Sequence, residues 1–155
     1  MTVPNTRLNE DFVYGSARSA DEAAIRQLLV ECGLPTSDLT AELLVNFLAC
    51  RADGRVIGVV GIEPAGDAAL LRSLAVAPGR RGSGVGRELV QRAEAQARGL
   101  GAEAVYLLTM TADRFFAALG YRTIARESAP ASVRATAEFA NLCPSTSVCM
   151  TKPVA

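Results

Sequence analysis

Histidine is absent from this chain of 155 residues. That removes Ser–His and Cys–His nucleophile pairs and every His-ligated metal site. Excess charge is absent too. The 16 basic residues balance 16 acidic ones, which argues against a general binder of nucleic acid or membrane surfaces. No apolar run reaches the ~18 residues that would span a bilayer. The polar start, Met1–Asp11, has no apolar h-region, so no signal peptide is expected and a cytoplasmic location is the default. The four cysteines, Cys32, Cys50, Cys143 and Cys149, form no Cys-x-x-Cys pair; this counts against a zinc ribbon or a thioredoxin-type motif, and no metal is expected. Cys143 and Cys149 lie close enough in sequence for a disulfide, but in a reducing cytosol free thiols are expected.

What is present is a globular composition, 50% apolar and 21% charged, on a chain long enough for one domain with a real core. Phe12–Ala17 alternates as a first strand. Ser19 reads as a helix N-cap, with Glu22 completing a capping box. Ala24, Ile25, Leu28 and Leu29 follow at helical spacing until Gly33. Pro35–Asp38 is a turn and Thr40–Leu44 a second short helix. Phe47–Arg51 and Arg55–Glu63 flank Asp53-Gly54, a strong hairpin signal, and Gly66-Asp67 turns the chain into Ala68–Val76. Three consecutive antiparallel strands result. Val85–Arg98 is an amphipathic helix with Val85, Leu89, Ala93 and Ala97 on one face. Ala104–Thr109 is a buried strand. Thr111–Leu119 is a short helix with Phe115, Phe116 and Leu119 inward. Tyr121–Arg126 is a strand, Pro130–Phe139 a helix opened by proline, and Thr146–Thr151 a last strand. No repeat, low-complexity tract or linker divides the chain, so residues 1–155 read as one mixed α/β domain.

The sharpest motif lies between the third hairpin strand and the long helix. Residues Arg80 to Gly86 read Arg-Arg-Gly-Ser-Gly-Val-Gly. Glycines let successive backbone N–H groups converge, and a helix N-terminus adds roughly half a positive charge, so a strand, a basic glycine-rich turn and a helix together form an anion cradle. A Walker A loop fails, because Val85 follows Gly84 where Lys-Ser/Thr is required. The dinucleotide fingerprint fits Gly82 and Gly84 but has Arg87 at its last glycine position. The acyl-coenzyme A pyrophosphate pattern, Arg/Gln-x-x-Gly-x-Gly/Ala after an apolar strand, is met by Arg81-Gly82-Ser83-Gly84-Val85-Gly86 at every fixed position. The competing reading is a plain strand-to-helix turn, and the order β-β-β-loop-α-β-α-β weighs against it.

On this loop and its surroundings the chain resembles the GNAT superfamily of acyl-CoA-dependent N-acyltransferases. The resemblance runs over nearly the whole length: Leu74-Ala75-Val76-Ala77-Pro78, the loop, Tyr106–Thr109 and Phe115–Tyr121. Leu107-Leu108-Thr109-Met110-Thr111 with Phe115-Phe116 and Gly120-Tyr121 resembles the N-acetylglutamate synthase branch. The tail, with Arg134-Ala-Thr-Ala-Glu-Phe and Leu142-Cys143-Pro144, resembles the small arsenic-resistance acetyltransferases. The resemblance implies the GNAT fold, an α/β (α+β) arrangement with a mixed, mostly antiparallel sheet of six to seven strands and flanking helices. It implies acetyl-CoA as acyl donor and an acceptor amine on a small amino acid or toxic amino-acid analogue. It also leaves a homodimer open. The alternatives are an N-acetylglutamate synthase and a catalytically silent CoA-binding sensor.

Residue by residue, the resemblance puts the pantetheine arm along Leu74, Ala75 and Val76. The pyrophosphate falls on Gly82, Ser83, Gly84, Val85 and Gly86, with Arg81 and Arg87 adding charge and Phe116 beside the cofactor. A backbone N–H at Leu74–Val76 serves as oxyanion donor. The glutamate base common in relatives falls at Leu70 and the tyrosine acid at Phe116, so both are missing. Tyr106, Thr109, Tyr121 and Glu138 are candidate substitutes, or water deprotonates the amine and positioning supplies the rest. Strand alternation places Leu70, Arg72 and Leu74 on the face aimed at the acceptor. Arg72, flanked by Ser73, either pairs internally with Glu63 or binds an acceptor carboxylate, a task Arg134 could share.

Overall fold

The structure is a computed structural model and describes residues 11–155; the polar start of the chain, in which no h-region is read, lies almost wholly outside them. Seven strands are present: β1 (Phe12–Ser16), β2 (Phe47–Ala52), β3 (Arg55–Ala65), β4 (Ala68–Val76), β5 (Ala104–Thr109), β6 (Arg122–Ile124) and β7 (Val148–Pro153). They form one mixed sheet in the order β1-β2-β3-β4-β5-β7-β6. All neighbours are antiparallel except β4 and β5, which run parallel. The hairpin expected at Asp53-Gly54 forms with positive φ at both residues, 54° and 75°. Those angles are what a two-residue turn between right-twisted strands requires.

Five α-helices flank the sheet among the described residues: α1 (Glu22–Glu31), α2 (Ala41–Leu44), α3 (Val85–Gly99), α4 (Asp113–Ala118) and α5 (Ala131–Arg134). α3 packs on one face of the sheet. Its buried residues Val85, Leu89, Val90, Ala93 and Ala97 meet Val60, Ile62, Leu71, Val105 and Leu107 there. Full burial of each such large side chain contributes about 1.5–3 kcal/mol. α1 covers the other face, where Ile25, Leu28 and Leu29 pack with Phe47, Val59 and Ala75. α5 and the turn after it cover the same sheet with Val133 and Phe139 against Leu70 and Cys149.

Several expected elements are corrected by packing. Ser19 does not cap a helix; it opens a 3-10 turn, Ser19–Asp21. Asp21 takes that place, its carboxylate accepting the Arg18 backbone N–H at 2.7 Å while pairing with buried Arg51. Glu22 pairs instead with Arg26 at 2.9 Å. The helix expected over Pro130–Phe139 is broken. α5 ends at Arg134 and a π-helical turn, Glu138–Leu142, follows. Thr136 Oγ1 donates to the Val133 carbonyl at 2.7 Å, a local bond that competes with continued helix. β6 is shorter than expected, pairing only with Cys149–Thr151, and β7 begins later and runs further, matching β5 from end to end. All four cysteines are free.

Candidate functional site

The site is made by two neighbouring strands that part. β4 and β5 pair only from Ala68 with Ala104 to Leu70 with Tyr106. Beyond that, β4 stays with β3 and β5 stays with β7. A bulge in β4 accompanies the split. Gly61 faces Arg72 and Val59 faces Ala75, so three steps on β4 oppose two on β3. Ser73 takes up the extra residue at φ +57°, left-handed backbone that a non-glycine residue adopts only under strain from its surroundings. Opposite it, Gly61 cannot be replaced lightly, since an added Cβ would lie 2.3 Å from the Phe47 ring. The bulge reverses strand parity. Leu71, Leu74 and Val76 pack toward α3, while Ala75 joins the α1 side. The expectation that Leu74 shares a face with Leu70 and Arg72 is therefore incorrect.

The gap is a cleft of about 1260 Å³ that passes through the sheet. Its mouth on the α3 side is rimmed by the glycine-rich loop. Gly82 and Gly84 have φ of +80° and +88°, and the Ser83 hydroxyl donates to the Arg80 carbonyl. Gly84 caps α3 with no side-chain partner for the first-turn N–H groups, so those donors and the positive helix end face the cleft. Gly86 lies against the mouth's apolar wall: a Cβ there would sit in van der Waals contact, 3.4 Å from the Phe115 ring and 3.7 Å from Val76. Phe115 is thus not a core residue, as expected, but a 37% exposed one at this mouth, edge-on to buried Phe116 at 5.1 Å. A single helix turn can send only one of two adjacent aromatics inward. Arg81 reaches back over the strand, its Nε donating to the Val76 carbonyl at 3.2 Å and Nη2 lying 3.5 Å from Cys32 Sγ.

Arg72, Ser73, Leu74, Ala75, Val76, Arg81, Gly82, Gly84, Val85, Gly86, Arg87, Thr109 and Phe116 all line the cleft. Ser83 belongs to the loop but does not line it. Tyr106, Tyr121, Glu138 and Arg134 are not brought there. Tyr106 packs with the cluster around Leu70. Tyr121 donates to Glu94 at 2.9 Å, beside Lys152, and burial pushes its hydroxyl well above the usual tyrosine range. Arg134 is exposed and spends its Nε on the Ala129 carbonyl at 2.9 Å. The Thr109 hydroxyl accepts from the Ala112 backbone N–H at 2.9 Å, which fixes the turn at the end of β5.

Arg72 takes the internal pairing, and more than Glu63 is involved. Nε donates to Ser73 Oγ at 3.1 Å, Nη1 to Asp38 at 2.6 Å and to Glu63 at 3.1 Å. Nη2 donates to Asp38 at 2.8 Å and pairs with Glu138 at 3.1 Å. Four of the five guanidinium N–H groups thus donate hydrogen bonds, and Nη2 also forms an ion pair with Glu138. Of the two readings of Arg72, this is the internal pairing. The hydrogen bonds from Arg72 hold the Asp38 carboxyl below the usual range. Burial instead pushes Glu138 above it, against the pull of Arg72. Cys143 lies next to Glu138, and burial, with that carboxylate's help, pushes its thiol up to about 12, so it stays protonated at neutral pH.

Residues that sequence reasoning missed line the cleft from two connections. Leu34 and Pro35 follow α1, while Leu142, Cys143 and Pro144 precede β7. No motif marks Leu34 and Pro35, and the resemblance of Leu142-Cys143-Pro144 did not place them at the cleft; only the fold brings the two connections together.

A mixed sheet split between two parallel strands, with a helix-capping glycine loop at the split, defines an acyltransferase architecture. The chain belongs to the Acetyltransferase (GNAT) family, whose sequence profile matches residues 14–121. It is 35% identical over 89 residues to the amino-acid acetyltransferase of Azotobacter vinelandii, covering 56% of this chain and 21% of that protein. An uncharacterized N-acetyltransferase of Chlorobaculum tepidum, CT2212, is 36% identical over 93 residues, 59% of each chain. The chain thus spans about a fifth of the length of the first curated relatives it matches. Among solved structures, the N-acetylglutamate synthase of Neisseria gonorrhoeae complexed with coenzyme A and N-acetyl-glutamate superposes with a TM-score of 0.81. Its identity is 20%, and the match covers 94% of this chain and 35% of that one. Rv2747 of Mycobacterium tuberculosis, in complex with CoA and NLQ, superposes at 0.78 with 25% identity, covering 91% and 98%.

Proposed function

We propose that this chain transfers the acetyl group of acetyl-CoA to the α-amino group of a small amino acid or an amino-acid-like toxin. The observation that carries the reading is the cleft through the sheet, which opens beside the glycine loop on one face and between apolar connections on the other. Two reactants can thus meet end to end in the gap. The N–H groups of Gly82–Arg87 and the start of α3 suit a pyrophosphate, with Arg81 and Arg87 supplying charge. The free edge of β4 from Leu71 to Val76 suits an extended amide arm that pairs as a strand would. The amine nitrogen attacks the thioester carbon, the carbonyl oxygen takes negative charge, and the C–S bond breaks to release the CoA thiolate. A backbone N–H at Leu74 is the assigned oxyanion donor, since the bulge turns this stretch of β4 toward the gap.

Leu70 and Phe116 are both buried and neither can move a proton. The amine then loses its proton to solvent, and approximation of the reactants supplies most of the acceleration; well-oriented intramolecular reactions gain up to ~7–11 kcal/mol in this way. The toxic-analogue acceptor, an arsenic-bearing one included, rests on the resemblance of the tail around Leu142-Cys143-Pro144. A second reading, glutamate acetylation, is favoured by the name of one solved neighbour, an N-acetylglutamate synthase. Release of CoA thiol from acetyl-CoA across a panel of amino acids separates them. Turnover on several amines supports the first reading, turnover on glutamate alone the second, and CoA binding without turnover contradicts both.

A further inference from the structure

We infer that the acceptor is an amine with a neutral, apolar body and no second carboxylate; this rests on the acetyl-transfer reading. Outside the glycine loop the cleft lining includes Leu34, Pro35, Leu108, Leu142 and Pro144, with Cys143 and the hydroxyl residues Thr111 and Ser147 among them. Every cation of the cleft lining except Arg72 sits on the loop, at Arg80, Arg81 and Arg87. Arg72 is engaged at each of its three nitrogens, by hydrogen bonds to Ser73, Asp38 and Glu63 and an ion pair with Glu138.

The remaining charges near this lining point the same way. Arg126, which does not line the cleft, donates to the carbonyls of Phe139 at 2.7 Å and Pro144 at 2.8 Å. Around Arg72, Asp38, Glu63 and Glu138 outnumber these two guanidinium groups. An incoming ammonium is favoured by that balance. A carboxylate on the acceptor's side chain would leave water for a surface whose side-chain donors outside the loop arginines and Arg72 are hydroxyls and thiols, those of Thr109, Thr111, Ser147 and Cys143 among them, with no cation to pair it, and that transfer is costly. An apolar side chain instead gains about 25 cal/mol for each Å² it buries against Leu34, Leu108 and Leu142. Glutamate is therefore a poor fit to this lining, although the name of one solved neighbour includes its acetylation.

The test compares kcat/KM for leucine, methionine and phenylalanine with that for glutamate and aspartate, at saturating acetyl-CoA. The apolar acceptors are expected to exceed the acidic ones by at least about tenfold, a difference of about 1.4 kcal/mol. Leu142 is half-buried in this lining, and Leu142→Lys, checked for native circular dichroism, is expected to shift the ratio toward glutamate by a similar factor. Glutamate equal to or better than leucine in the unsubstituted protein overturns the inference and leaves acetyl transfer standing. Failure to acetylate any amine, with CoA still bound, overturns the acetyl-transfer reading and this inference with it.

Discussion

Arg81 and Arg72 are both arginines beside one cleft, yet their surroundings assign them opposite work. Arg81 is exposed on the loop, held only by the Val76 carbonyl and Cys32. Arg81→Ala is expected to raise KM for acetyl-CoA about tenfold while lowering kcat less, as loss of one charge-assisted contact would; steady-state kinetics check this, and an unchanged KM removes Arg81 from the anion site. Arg72 is buried, 2% exposed, between three carboxylates. Removing it strands those carboxylates, so Arg72→Leu is expected to cost about 3–5 kcal/mol in urea unfolding. A folded variant of unchanged stability would return Arg72 to the acceptor site. Glu138 sets a pH dependence. Burial raises its folded-state value, so the folded protein binds the proton more tightly than the unfolded chain does. Its contribution is full below the unfolded glutamate value of about 4.3 and is lost as pH rises through the folded value. Asp38, whose value is lowered, acts in the opposite sense: its contribution is present above the unfolded aspartate value of about 3.9 and lost as pH falls. Glu138→Gln is expected to flatten the decline of the urea midpoint as pH rises above the unfolded glutamate value of about 4.3. A decline as steep as before would place the titrating group elsewhere.

At the scale of elements, the strands and the long helix were legible because their patterns are local. β-branched runs, Asp53-Gly54 and the apolar face of α3 each act within a few residues. The loop was legible for the same reason, since its geometry depends on glycines within it. The bulge at Ser73 was not, because its strain is held by Gly61 and Phe47 on neighbouring strands. Period-two alternation therefore misplaced Leu74. Tyr106 and Arg134 were placed by resemblance and alternation alone, and packing carried both away from the cleft. The placing of Leu34, Pro35 and Leu142–Pro144 at the cleft was not legible in sequence, although Leu142-Cys143-Pro144 carried a resemblance, since they come from connections whose path no periodicity records. The loop itself supplies a test. Gly84 holds φ +88° as the cap of α3, a conformation that costs a Cβ-bearing residue about 1–2 kcal/mol. Gly84→Ala is expected to lower the urea-unfolding free energy by that amount and to weaken CoA binding measured by calorimetry. Unchanged CoA affinity in a folded Gly84→Ala protein would argue that the helix start does not hold the pyrophosphate.

For the molecule as a whole, one feature joins fold to chemistry: a sheet that splits between its two parallel strands and so offers a passage from face to face. Everything proposed for function depends on two reactants meeting in that passage. Among the described residues no helix is long and apolar enough to cross a membrane. The most direct measurement is mass spectrometry of a reaction containing the protein, acetyl-CoA and a mixture of amino acids, with CoA thiol release followed in parallel. The account predicts an N-acetylated amino acid formed one for one with free CoA, at a rate that depends on both substrates. CoA bound in the cleft with no acetylated amine, or thiol release with no amine product, would contradict it.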